Sequence, residues 1–479
     1  MISVDDILDV AKITEQKQQT LKKYKTLINA VRCCKSDDKN TIAKTAKMSW
    51  QTINNFLAGY VGENQPIVVD ENIYKVNPDY GVFLGIAVGA RETKVTLVDF
   101  SLNGITEEFS KKYQLEALFK ELDKIPTAKS CSSCMICYET LDDLAYISNI
   151  CNGVIQVALK FFCGKYDLNL LGIGLTFPGI INKNNLQIEF CPNIDCLNGV
   201  YILNFLQEEL LADINRKSLS LCIAHDTAAI TVFEKENLYK SSDKYKYKNL
   251  ENVICLYMGM GLGCGIIINN QLLSGKNNSF GEIGHIPAPD MNEIICRQDE
   301  NNHVKYTKEE QQDKEYYAEE ENIDLSSVAN CYCREPSCIE KMIRVQVFNS
   351  KTPEQLLEKT KPQYLENFHN EHPFRYRVFK QYLKYLFTII INLFNPDLII
   401  LSGRTLNSIP ALRTDAYILK QSAGIELPAS ECKIINGSDR PDCVAVGAGI
   451  LAYYKLVESN GENDEDGMKF NISWNPVIE

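Results

Sequence analysis

The chain states one plan twice. "GVFLGIAVGARETKVTLVDFSLNGI" (81–105) reads as strand, turn, strand and polar turn, and "NVICLYMGMGLGCGIIINNQLLSG" (252–275) repeats it with more glycine. Apolar runs of this length bounded by glycine favour buried strands. One such unit opening each half predicts two similar α/β lobes around a cleft. At 479 residues the chain also exceeds one ordinary core, so two or three domains are expected. Between the repeats, "LLGIGLTFPGIIN" is a buried strand entering a Pro178-Gly179 turn. "LSLCIAHDTAAITVFEKE" is a second strand, ending at His225-Asp226, followed by a helix. Strand ends that feed helix starts are where α/β folds put their chemistry. The most apolar run, "YLFTIIINLFNPDLIIL", is broken by Asn392, Asn395, Pro396 and Asp397. It therefore reads as a buried helix followed by a buried strand rather than a membrane span.

Ahead of the first repeat lies a segment of opposite charge. Residues 12–62 carry ten Lys/Arg against three acidic residues, a net of +7, while the whole chain is −12. A basic head on an acidic body suggests that the head alone meets a polyanion. Three helices are expected in it. In "QQTLKKYKTLINAVRCC", Leu21, Tyr24, Leu27, Ile28 and Val31 form one stripe; "KNTIAKTAK" and "MSWQTINNFLAGYV" follow. Ser49 is the expected N-cap of the third. Ile53, Leu57 and Tyr60 should face inward, with Gln51 and Asn55 opposite and Asn54 beside them. Amides suit a DNA-reading face, because Gln or Asn can bond bidentately to adenine. Thr52 lies beside them, Lys44 and Lys47 would serve phosphates, and Trp50 either meets DNA or packs inward. "PIVVDENIYKVN" reads as a hairpin, the wing of a winged helix-turn-helix. The competing reading is a small helical protein-interaction domain.

The beginning, "MISVDDILDVAKITEQ", has no basic and apolar pattern of a signal peptide. Eighteen cysteines without an export signal imply reduced thiols, some of them metal ligands, in a cytoplasmic protein. The stretch "ANCYCREPSCIEK" holds three of them, Cys331, Cys333 and Cys338, spaced C-x-C-x4-C. That is one ligand short of a closed tetrahedral zinc site. "CSSCMIC" (Cys131, Cys134, Cys137) has neither a histidine nor a fourth cysteine nearby and is read as non-functional.

The motifs "FPG" (177–179), "HDTAA" (225–229), "GMGLGCGI" (259–266), "GEIGH" (281–285), "CYCREPSCIE" (331–340), "NPDLIILSG" (395–403) and "VGAGIL" (446–451) stand in one order. Positions 81–457 thereby resemble the ROK proteins (repressors, open reading frames and sugar kinases). The resemblance implies an actin-like, hexokinase-like two-lobed fold, and its repressor branch carries an N-terminal winged helix-turn-helix. The chain is therefore divided into a head (1–80), a body (81–457) with an acidic insert (286–330), and an acidic tail (458–479).

The resemblance supplies His285 as the fourth ligand of a structural Zn2+ site. It also implies that Gly179, Asp226, Glu282, His285 and Glu340 meet a sugar, Asp226 being the catalytic base in kinases. Three departures matter. The 45-residue insert separates His285 from Cys331; with twelve Asp/Glu and four Lys/Arg it reads as a solvated or flexible surface excursion. Arg334 replaces a family glycine. His225 stands where the family has Asn, so the ligand need not be the usual hexose. The nucleotide end departs further. Ala87 occupies the position of the Asp that serves Mg2+ and phosphates in D-x-G-x-T-K, and Met260 replaces the hydroxyl residue of G-T-G. Phosphoryl transfer is almost wholly positioning and charge stabilisation. The sequence thus points to a regulator, most consistent with a repressor. It would bind operator DNA and a sugar or sugar-derivative effector as a homodimer or dimer of dimers, with no membrane. The alternatives are a sugar kinase and a non-DNA scaffold.

Overall fold

The computed structural model describes residues 27, 28, 30–32, 39–70, 73–126, 128–132, 135–162, 168–240, 250–302, 306–320, 331, 333–350 and 352–459. Two compact units emerge: residues 1–244 with 442–479, and residues 245–441. No helix of the described residues is long and apolar enough to cross a membrane.

The first unit begins with the basic head. Residues 27, 28 and 30–32 are helical; Leu21 and Tyr24 of the expected stripe lie outside the described residues. Helices α1 (Lys39–Thr45) and α2 (Trp50–Tyr60) follow, then a hairpin of β1 (Ile67–Asp70) and β2 (Ile73–Val76). Its register pairs Ile67 with Val76 and Asp70 with Ile73, so Ile67 and Val76 both point into the head core. Leu27, Val31, Ile42, Ile53 and Leu57 are 0–2% exposed there. Tyr60, expected to face inward, is only partly buried and stacks on Phe56 at 6.0 Å. Ser49 caps α2 as expected, its hydroxyl accepting from the Thr52 amide at 3.2 Å.

The first lobe is a six-stranded sheet. It holds β3 (Val82–Ala87), β4 (Glu92–Asp99), β5 (Ala128–Ser132), β6 (Met135–Glu139), β7 (Leu170–Phe177) and β10 (Ser220–His225). The order is β10-β7-β3-β4-β6-β5; the β10–β7 and β7–β3 pairings are parallel and the other pairings antiparallel. A small hairpin, β8 (Ile180–Ile181) with β9 (Ile188–Phe190), leaves the end of β7. Every residue of β3 is buried, which a strand covered on both faces requires. Val82, Leu84 and Ile86 share a core with Ile147, Ile150 and Val154 of helix α3 (Leu144–Phe161). Phe83, on the other face, meets Tyr453 of α9 (Cys443–Ser459) edge-on at 5.7 Å. Helix α4 (Asp226–Lys240) packs beside α9.

The second unit repeats the plan. Strands β11 (Val253–Met258), β12 (Leu262–Ile268), β13 (Gln271–Leu272), β14 (Leu398–Ser402) and β15 (Lys433–Asn436) lie in the order β13-β12-β11-β14-β15. As in the first lobe, a hairpin begins the sheet and two parallel strands extend its other side. The apolar run divides as expected. Helix α8 (Pro373–Phe394) ends at Asn395 in the left-handed conformation (φ 42°), and β14 follows.

The acidic insert departs from expectation. It forms α5 (Met291–Asn302) and α6 (Lys308–Glu320), both packed on α8; residues 303–305 and 321–330 of it lie outside the described residues. Charge holds it there. Asp313, 7% exposed, accepts from the amides of Phe374 (2.9 Å) and Arg375 (3.1 Å), capping the first turn of α8 from another helix. Asp299 pairs with Arg377 at 2.5 Å and accepts from the Tyr306 hydroxyl. A composition that reads as solvated is compatible with docking when the acidic groups find donors, and net charge cannot reveal that.

Candidate functional site

In the second unit, β12 and the loop after it bring the four expected metal ligands together. "GEIGH" lies flat on β12 because two of its residues lack side chains. A Cβ on Gly281 (φ 93°) would sit 1.8 Å from the Cys264 carbonyl oxygen, and one on Gly284 2.4 Å from that of Leu262. The following short turn, Ile283–His285, presents His285. The cysteine segment then pairs with the chain just beyond His285. The Ile339 amide donates to the Ile286 carbonyl (3.0 Å) and the Ala288 amide to that of Ser337 (2.9 Å). Both ends of the insert are thus pinned together, and the 45-residue gap does not open the site.

Ligand atoms of His285, Cys331, Cys333 and Cys338 all lie within 4.8 Å of one another. Cys331 Sγ lies 3.4 Å from His285 Nδ1. A tetrahedral zinc with bonds of about 2.0–2.3 Å separates its ligands by roughly 3.5–3.8 Å. The electrostatics fit the same ion. The Cys331 thiol is lowered to about 3, chiefly by a hydrogen bond from Cys338 and further by His285. Cys338 is driven upward by that bond and by burial, and burial raises Cys333 as well. A cluster that readily holds one thiolate but resists the next needs a cation to hold three. The donor set therefore fits Zn2+.

The other imidazole nitrogen of His285, Nε2, stands 3.5 Å from Glu282 Oε2. Burial works to lower the His285 pKa, but the Cys331 hydrogen bond and the charges of Glu340, Cys331 and Glu282 outweigh it, so the net shift is upward. Glu340 lies in the first turn of α7 (Ile339–Met342), two residues past Cys338. Its Oε2 accepts from the Leu262 amide at 2.7 Å, at the end of the Gly259-Met260-Gly261 turn, and burial raises its pKa. The metal segment and the glycine turn are thereby tied together. Met258, Met260, Glu340, Arg344, Phe348 and Thr405 line a shallow recess beside this turn. Arg344 was not singled out from sequence; its signal was its position four residues after Glu340, one helical turn on.

In the first unit, the carboxyl ends of three strands lie side by side. Ala87 of β3 pairs with Thr176 of β7, and Phe177 pairs with His225 of β10, with Pro178-Gly179 just beyond. Asp226 does not cap its own helix. His225 does: its Nδ1 accepts from the Thr227 amide (3.2 Å) and lies 2.6 Å from the Thr227 hydroxyl. Asp226 Oδ1 instead approaches His225 Nδ1 at 3.3 Å. A capping role thus does not account for Asp226.

In the head, Gln51 and Asn55 are exposed on one side of α2, and Lys44, Lys47 and Ser49 are exposed as well. Thr52 is half-buried in the capping pair with Ser49, and Asn54 accepts from Lys39 Nζ at 2.7 Å. Trp50 is 52% exposed. Of the Cys131/Cys134/Cys137 run, Cys137 is buried, Cys134 lies outside the described residues, and only the strand backbone of Cys131 is described.

The ROK family model matches residues 149–455. The xylose repressor of Bacillus spizizenii is 32% identical over 117 residues, 24% of this chain and 26% of that one. The glucokinase of Streptomyces coelicolor is 31% identical over 121 residues, 24% of this chain and 32% of its own. The transcriptional dual regulator NagC of Escherichia coli is 26% identical over 139 residues, 28% and 30% of the two chains. The matched stretches thus span less than a third of each relative. A crystal structure of a ROK family transcriptional regulator, homolog of the E. coli MLC protein, aligns over 91% of this chain and 97% of its own at TM-score 0.56 and 16% identity, a likeness of fold.

Proposed function

The chain belongs to the ROK family, and from that membership we propose that it is a transcriptional regulator, most consistent with a repressor. Its head reads operator DNA, and its body binds a sugar or sugar-derivative effector. The observation that carries this reading is the exposed amide face of α2, Gln51 and Asn55, within a stretch, residues 12–62, of net charge +7. Relatives that are repressors support it, as does the loss of kinase groups at Ala87 and Met260.

His285, Cys331, Cys333 and Cys338 would hold Zn2+, which in a site with four protein ligands supplies structural bracing rather than chemistry. The residues do the rest. Within the second unit the braced segment holds Glu282 and Glu340, and within the first the strand ends carry His225 and Asp226; carboxylates and imidazoles of this kind accept from a sugar's hydroxyls. An effector that binds one body conformation better than another shifts DNA affinity by that difference. The regulator works in the cytoplasm as a homodimer or dimer of dimers, matching two-fold operators.

A sugar kinase is the second reading, favoured by the glucokinase relatives and by the uncapped Asp226 carboxylate. The deciding experiment is selection of DNA from a random duplex pool by the full chain, repeated with Gln51→Ala/Asn55→Ala and with Lys44→Ala. The amide pair should flatten sequence preference by roughly 1–3 kcal/mol per lost contact, whereas Lys44→Ala should weaken all duplexes alike and reduce the salt slope by about one. If residues 81–479 alone retard the same duplex, the head is not the reader.

A further inference from the structure

The head is joined to the body by a buried charge pair that links residues 204 positions apart. Arg32, in the last described turn of the first head helix, donates from its guanidinium to Glu236 Oε2 of α4. The other Glu236 oxygen accepts from the Tyr454 hydroxyl of α9, and the guanidinium carbon lies 5.8 Å from the centre of the Tyr453 ring. The side chains of Arg32 and Glu236 are 10% and 2% exposed, and Tyr453 and Tyr454 are 0% and 1% exposed. Around Arg32, Leu27, Ile28, Ala30 and Val31 are sealed from solvent.

Such a pair is a poor device for stability alone. Desolvating two charges consumes most of what their attraction returns, and an apolar pair of similar volume often serves as well. What a buried pair adds is selectivity: the helix can sit in one orientation without leaving a charge unpaired. Its partner helix is also the informative one. α4 starts at Asp226, beside His225, and Glu236 lies ten residues, about 15 Å, along it. One rigid rod thus carries the candidate effector residues at one end and the grip on the head further along.

We propose that Glu236 is a positioning residue for DNA recognition: through Arg32 and with Tyr454 it fixes the angle at which the head leaves the body. The inference rests on the DNA-reading function above. Two heads held at fixed angles can engage both half-sites of an operator together. Heads on loose joints bind each half-site as before but lose the high effective concentration of the second contact.

The test uses the full zinc-containing chain, a two-fold duplex selected by the wild-type protein, and the same duplex with one half-site scrambled. Glu236→Gln should lower affinity for the intact duplex about tenfold, leave half-site affinity and the salt slope unchanged, and speed amide exchange at residues 27–32. Arg32→Met with Glu236→Met removes both charges. It should recover thermal stability relative to Glu236→Gln while the full-site advantage stays lost, which a merely structural pair would not do. Recovery of both together would overturn the positioning role. So would unchanged exchange at residues 27–32 in Glu236→Gln, whatever happens to DNA binding. If the wild-type protein selects no duplex, the DNA reading itself fails and takes this role with it; the exchange measurement then still reports whether the joint exists.

Discussion

The four residues of the candidate metal site show how much a single position can carry. Cys331, Cys333 and Cys338 were legible as ligands from spacing alone, but His285 was not, because 45 residues separate it from the nearest of them. What joins them is the backbone pairing of residues 286–288 with 337–339. The purified protein should contain about one zinc per chain, and Cys333→Ser with His285→Ala should abolish it. Metal analysis of both proteins after desalting decides this; full occupancy in the variant would refute the site. Removing the ion with a chelator should also lower the melting temperature, since the free energy of metal binding is part of folding free energy. Gly281→Ala is the complementary change. A methyl group placed 1.8 Å from a carbonyl oxygen, on a residue with φ of 93°, cannot be relieved by a side-chain shift. A loss of about 2–5 kcal/mol is expected in denaturant titration. A loss under about 1 kcal/mol would mean that the loop does not rest on β12 as described.

Among elements, α8 and the insert are the instructive pair. The sequence of α8 foretold a buried helix ending near Asn395, because a long apolar run followed by Asn-Pro has few other solutions. The sequence of the insert foretold a solvated excursion, because twelve Asp/Glu outnumber four Lys/Arg within it and the partners that dock its acids lie elsewhere in the chain. Those partners are Arg377 and the amides of Phe374 and Arg375, all at the start of α8. Asp313→Ala should therefore leave two buried amides unsatisfied and cost about 1–3 kcal/mol, where substitution of the exposed Glu315 should cost under about 0.5 kcal/mol. Thermal unfolding of the two variants side by side separates them. Equal melting temperatures would show that the insert is not clamped to α8.

For the whole molecule, the question is which chemistry the repeated fold retains. With Ala87 and Met260 at the two turns that serve phosphates in ROK kinases, no measurable ATP-dependent phosphorylation of a panel of hexoses, pentoses and N-acylated sugars is expected. Turnover near ordinary kinase values, roughly 1–100 per second, would instead make the protein an enzyme with an accessory head. Much of this architecture was legible along the chain. The doubled strand–turn–strand, the glycines that follow it, the helix-to-strand break at Asn395 and the basic head are local patterns, and local patterns follow from side-chain size, periodicity and backbone freedom. Other features came only from tertiary structure. That His225 rather than Asp226 caps α4, that Glu340 is spent on the Leu262 amide, and that Arg32 meets Glu236 are pairings between groups whose identity the sequence gives but whose proximity it does not. A hydrogen bond depends on a few tenths of an ångström, and only the folded backbone sets that distance, whether the residues are 2, 78 or 204 positions apart.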